Sequence, residues 1–146
     1  LIMSMFKTLE ISATGMHAQT IRLNTIASNM ANVDSVSSNA EETYRAKMPI
    51  FKAMLDSAGN TGTGGVQVKE IVENDAPLKM EYSPNHPMAN DEGYIYRPNV
   101  NVVEEMENLM SASRSYETNI EVMMFQKKKI FFENSIQIRS RGSFLR

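Results

Sequence analysis

Two apolar rows at heptad spacing, one near each end of the chain, limit what this sequence can fold into. Phe6, Leu9, Ala13, Met16, Thr20, Leu23, Ala27 and Met30 recur at alternating intervals of four and three. That is the a/d pattern of helices that pack along a seam. Val102, Met106, Leu109, Ser113, Tyr116, Ile120 and Met123 repeat it. The first row predicts a helix over residues 4–32, the second a helix over 101–124, with Glu105, Asn108, Arg114, Glu117 and Glu121 off the stripe. Isolated amphipathic helices are marginal in water, so each row needs the other or a second copy to cover it.

The helix ends are marked by their chemistry. Asn101 followed by Glu104 fits an N-cap with its capping-box acid, and Glu104, Glu105 and Glu107 crowd the turn where the helix dipole favours anions. Asn32, Asp34 and the run Ser35–Asn39 stop the first helix and open a loop. Between the helices the period changes. Val66–Lys69, running on to Glu73, alternates like a strand, as do Leu78–Tyr82 and Tyr94–Tyr96, with Pro77, Pro84, Pro87 and Pro98 as punctuation. Ala58–Gly65 reads as a flexible loop. The expected fold class is α+β and helix-dominated. Long N- and C-terminal helices form a coiled-coil-like hairpin around a small β-rich insert. The expected divisions are 3–34 (first helix), 35–100 (loops and β insert), 101–124 (second helix) and 125–146 (an atypical basic tail).

Composition removes most other function classes. The 146 residues suffice for one domain. There is no Cys, which excludes disulfides, thiolate metal sites and cysteine nucleophiles, and two His are too few for a His-rich metal cage. Net charge is −2, so the molecule as a whole is no electrostatic nucleic-acid binder. The twelve Met suit surfaces that adapt to partners. No apolar run is long enough for a membrane span or a cleaved signal peptide. Met3 is taken as the start of the reading frame, and Leu1 and Ile2 are left out of the fold reasoning.

Three side-chain groups invite chemistry, and each has a plainer explanation. Glu104, Glu105 and Glu107 could serve a metal or acid–base role, but no His or Asp stands three or four residues on to complete a site. His86 with Asn85, Asn90, Asp91 and Glu92 matches no metal loop, and His17 sits beside the helical row. The glycines of 59–65 lead into a strand, whereas a phosphate loop needs Lys-Ser/Thr and a helix. The expected catalytic, metal and cofactor sites are therefore none, and the chain is not expected to be an enzyme. Charge is unevenly placed: net −7 over residues 1–124 and +5 over 125–146. Lys127, Lys128, Lys129, Arg139, Arg141 and Arg146 could form a patch for nucleic acid or acidic lipid, or a solvated basic tail.

Two separated motifs add a resemblance. Leu23-Asn24-Thr25-Ile26-Ala27-Ser28-Asn29-Met30-Ala31-Asn32 resembles the N-terminal signature of bacterial flagellar rod and hook proteins. Pro98-Asn99-Val100-Asn101-Val102-Val103-Glu104-Glu105-Met106, followed by Ser111–Tyr116 with its Arg114, and by Asn119, resembles their C-terminal signature. Tyr44-Arg45-Ala46, Pro87–Tyr94 and the short middle are similar to the proximal-rod members of that family. The resemblance covers about residues 3–123.

The resemblance implies a structural subunit of the flagellar basal body that builds the proximal rod by self- and hetero-assembly of its terminal helices. A paralogous rod subunit, a basic-tailed nucleic-acid or membrane binder and a small metal-dependent enzyme are the alternatives. It implies partners: other copies of the chain, other proximal and distal rod proteins, the adaptor between membrane ring and rod, and the flagellar type III export apparatus. No nucleic acid and no membrane span are implied. It implies a periplasmic rod location, reached by export without a cleaved signal peptide. The assembly seam is expected to use Leu9, Met16, Leu23 and Met30 with Val102, Met106, Leu109, Tyr116 and Ile120, within a subunit or between neighbours. Asn24, Asn29, Asn32, Asn101 and Asn119 are expected to satisfy polar groups at tight junctions. From Phe125 the sequence leaves the family's Ala/Lys/Leu-rich ending. Lys127-Lys128-Lys129-Ile130-Phe131-Phe132 has the composition that a frameshift at a homopolymer run would produce.

Overall fold

The structure, a computed structural model, describes residues 2–55 and 64–143, with side chains over 5–55 and 64–136. Six elements follow one another: α1 (Ile2–Ala31), β1 (Lys47–Ala53), β2 (Val66–Glu73), β3 (Lys79–Tyr82), β4 (Tyr94–Arg97) and α2 (Val102–Ser143). The α+β, helix-dominated hairpin with a small β insert is what the chain forms. Positions 58–63 of the Gly-rich stretch lie outside the described residues.

α1 has 30 residues and no Pro, and at ~1.5 Å per residue runs about 45 Å. It stops where Asn32 folds back: its backbone N–H and its Nδ2 both donate to Ser28 O, at 3.2 and 2.8 Å. That pairing satisfies a carbonyl the helix end would otherwise leave open. α2 begins as its sequence predicts. Asn101 Oδ1 accepts from Val103 N at 3.2 Å, and Glu105 N donates to Asn101 O at 2.9 Å.

α2 does not stop near 124. It runs 42 residues to Ser143, about 63 Å at ~1.5 Å per residue. The physical reason is propensity. Residues 125–141 contain neither Pro nor Gly, and Lys, Gln, Glu, Arg and Ile are all tolerated in a helix. The change in charge at residue 125 is a change of surface, not of backbone.

The strands form two antiparallel pairs, β1 with β2 and β3 with β4. β1 was not legible in the sequence. Its Met48-Pro49-Ile50 lacks alternation, and Pro49 is tolerated because a two-stranded sheet leaves an open edge. A register shift between Ile50 and Phe51 bends the pair. The hairpin lies on α1, where Val66 N donates to Thr14 Oγ1 at 3.2 Å. In the second pair Tyr82 meets Tyr94 edge-on at 5.1 Å, and Gly93 takes φ 82 in the turn before β4, where a Cβ would come within 2.9 Å of Tyr82. Ile95, Pro98 and Val100 are fully buried on the approach to α2. Among the described residues α1 is the one secondary-structure element that packs on α2.

Candidate functional site

The helices run antiparallel. Asn29 near the end of α1 bonds Glu105 near the start of α2, Arg22 Nη2 donates to Asn108 Oδ1 at 2.9 Å, and Gly15 lies against Asn119. Leu9 shares a surface groove with Phe125 and Ile130. The face between them mixes small, polar and apolar side chains. Met5, Ser12, Ala18, Ile26 and Asn29 are buried on α1, and Ala112 on α2. Gln19 Oε1 and Gln126 Oε1 are buried on the same faces with no hydrogen-bond partner among the described residues.

This inner face lies one position away from the predicted rows. Leu9, Met16, Leu23 and Met30 are half-buried along its edge, as are Leu109, Tyr116 and Ile120. Phe6, Ala13, Thr20 and Ala27 are exposed, and so are Val102 and Met106. Within the subunit, then, Val102 and Met106 do not join the pairing, whereas Glu105 and Asn108, read as off the stripe, do. The physical reason is size. Gly15, Ala18 and Ala112 let the backbones approach, and the Asn29–Glu105 and Arg22–Asn108 bonds bridge the helices, so most of the larger apolar side chains lie on the flanks and outside.

At the closed end of the hairpin Asn29 uses its full hydrogen-bonding capacity while 1% exposed. Nδ2 donates to Lys47 O and to Glu105 Oε1, both at 2.8 Å. Oδ1 accepts from Lys47 N at 2.8 Å and from Tyr44 Oη at 2.9 Å. The single Tyr44 proton is thereby committed, so Ser28 Oγ is the donor in its 3.2 Å bond to Tyr44 Oη. One amide thus ties α1, the entry of β1 and α2. Asn99 does the same for the sheet. Its Oδ1 accepts from Ala46 N at 2.8 Å, and its Nδ2 donates to Asn74 O and Ala76 O, both at 2.9 Å. Asn119 Nδ2 donates within α2 to Ser115 O at 2.9 Å. Asn24, Ala27, Ala31, Glu104 and Arg114 are exposed.

Burial raises the Glu105 carboxyl above its ordinary value, with the neighbouring Glu104 charge adding to the rise and the Asn29 bond opposing it. Among the described residues no three of His, Asp and Glu gather as metal ligands. His86 Nδ1 accepts from Met88 N at 3.1 Å inside its turn. Among those residues no helix is long and apolar enough to cross a membrane. Sequence reasoning missed Gly15, Gln19 and Asn108; an amide- and Gly-bearing helix face was the available signal.

Large apolar side chains left exposed on both helices mark a part made for an assembly, and the comparisons with known proteins agree. Residues 9–37 match the family "Flagella basal body rod protein", and residues 91–124 match "Flagellar basal body rod FlgEFG protein C-terminal". The flagellar basal-body rod protein FlgC of Salmonella typhimurium is 46% identical over 83% of this chain and 89% of its own. That of Bacillus subtilis is 37% identical over 83% and 90%. That of Buchnera aphidicola subsp. Schizaphis graminum is 41% identical over 92% and 98%, a match that necessarily runs past residue 124 into the basic segment. With such identity over most of its length, the chain belongs to the flagellar basal-body rod protein FlgC family: it is a structural component of that rod, not an enzyme.

Proposed function

We propose that the chain builds the proximal part of the rod by packing its terminal helices against other copies and against neighbouring rod proteins, with the membrane-ring adaptor and distal-rod proteins at its ends. One observation supports this most: Phe6, Val103, Met106, Met110, Phe125 and Phe131 stand exposed on the two helices. Exposed apolar surface of this extent marks interaction sites. In this reading the half-buried Leu9, Met16, Leu23, Met30, Leu109, Tyr116 and Ile120 border the intersubunit seam, and Val102 and Met106 lie in it. The protein is exported through the flagellar type III apparatus without a cleaved signal and assembles in the periplasm. In this reading residues 125–143 continue α2, and the Buchnera match, which reaches into them, supports their belonging to the protein. Nucleic acid has no part in it.

The test is soft-agar swimming of a strain that lacks its own FlgC and is complemented with this chain. Swimming is expected. Leu23→Glu and Leu109→Glu are expected to stop rod assembly while the exported protein stays detectable. A motile double variant would overturn the seam, and a wild-type chain that is exported but absent from basal bodies would overturn the rod assignment.

A further inference from the structure

The sequence has no Cys and no Trp but twelve Met, so thioethers are its readily oxidised groups. Their exposure differs widely. Met5 is 4% exposed between the helices, whereas Met106 is 52%, Met110 61% and Met124 63% exposed. On α2, Met110 stands about one turn beyond Met106, and Met124 about five turns beyond it, at ~3.6 residues per turn. The three thioethers therefore share one side of the helix. Val103 and Phe131, exposed as well, bring further apolar surface to that side. A thioether suits a dry contact because it is apolar and flexible. A sulfoxide does not: its oxygen is a strong acceptor, and an apolar contact has no donor for it.

We propose that Met106, Met110 and Met124 form a redox-modification site: a two-electron oxidant of the hypochlorous acid class converts them to sulfoxides in the folded, unassembled chain, and the oxidised chain is kept out of the rod until they are reduced. The reaction balances with the oxidant alone. An S–O bond forms and the O–Cl bond breaks. Two electrons pass from sulfur to chlorine, which leaves as chloride, and the proton goes to water. A methionine sulfoxide reductase fed by a dithiol reverses it, releasing the oxygen as water. The site acts before assembly, because a seam that covers these side chains also shields them. This gives the assembly face proposed above a means of regulation, and rests on that reading.

Two measurements test it. The purified full-length chain is titrated with hypochlorous acid and mapped by peptide mass spectrometry. Met106, Met110 and Met124 are expected to gain oxygen about tenfold ahead of the buried Met5. Next, the chain is induced in cells that lack their own FlgC and periplasmic methionine sulfoxide reductase. The cells receive a brief hypochlorous acid pulse, are quenched with thiosulfate and are left to assemble rods. Chain in basal bodies is expected to carry about tenfold less sulfoxide at the three positions than unassembled chain from the same cells. Sulfoxide at Met80 on β3 and at Met88 between β3 and β4, both exposed, is expected to be equal in the two fractions. The Met106→Leu/Met110→Leu/Met124→Leu variant, which nearly conserves volume, is expected to keep assembling after the pulse. The fractionation needs no substitution, so it decides the matter whatever that variant does to folding. Met5 oxidised first, no depletion at the three positions, or the same depletion at all five would each overturn the proposal. Untreated chain absent from basal bodies would overturn the rod reading itself, whereas untreated chain present there leaves the rod assignment standing if the oxidation results fail.

Discussion

Asn29 Nδ2 stands 2.8 Å from Glu105 Oε1, and this one bond joins the last turns of α1 to the first turn of α2. The same side chain holds both backbone groups of Lys47. The family motif around residue 29 is therefore a fold-closing device as well as a sequence signature.

Asn29→Ala removes four hydrogen bonds from a buried position and strands a carboxylate, a backbone N–H and a carbonyl. Leaving such groups unpaired costs about 1–3 kcal/mol each where they stay buried. The expected loss, with partial solvation, is about 3 kcal/mol by urea denaturation. A loss under about 0.5 kcal/mol, the range of ordinary surface substitutions, would show that the junction carries little of the fold.

Glu105 makes a pH prediction. Its folded-state carboxyl is raised above its ordinary value, chiefly by burial, so the folded state favours the protonated form. The stability this contributes is full below the ordinary carboxylate range and is lost as pH rises through the raised value. Glu105→Gln keeps an oxygen for Asn29 and removes the charge. The variant is expected to denature later than the parent at pH 7, with the difference vanishing at pH 3. Equal midpoints at both pH values would mean the carboxylate is not desolvated.

Gly15 is the close-approach point of the hairpin. A Cβ there would meet the Asn119 side chain at 3.1 Å, while Asn119 is held to Ser115 O. Gly15→Ala gains about 1 kcal/mol of helix propensity and loses a similar amount to the contact, so its stability is expected to stay near the parent's. Combined with Asn119→Ala, which clears the space, the propensity gain is expected to emerge as a non-additive coupling of about 1 kcal/mol in a double-mutant cycle. Additive effects would show that the two residues do not limit the helix approach.

Both helices were legible as elements, because seven- and eight-member heptad rows and the Asn101 cap are local signals. Which face turns inward was not. Apolar periodicity ranks Leu9, Met16 and Met106 above Ser12, Gly15 and Asn108, whereas the short interhelical distance selects small residues and amides. The stripe with the larger side chains, open in the sequence to packing within a subunit or between neighbours, lies along the edge of the hairpin's inner face or outside it. β1 escaped because Pro49 and the missing alternation hide a strand that, among the described residues, pairs with β2 alone. Asn29 and Asn99 were visible as motif positions, but their roles depend on Lys47, Ala46, Asn74 and Ala76, which the fold alone brings to them.

Gln126 gives the last prediction. Its Oε1 is buried on the inner face of α2 with no partner among the described residues. An unsatisfied buried amide costs about 1–3 kcal/mol, and Met matches Gln in length and flexibility without the polar atoms. Gln126→Met is expected to stabilise the isolated chain by about 1 kcal/mol in thermal or urea unfolding. If neighbouring rod proteins supply a donor to that oxygen on assembly, the same substitution is expected to slow swimming despite the gain in stability. A more stable chain that swims as the parent does would place Gln126 inside the hairpin only, away from any neighbour.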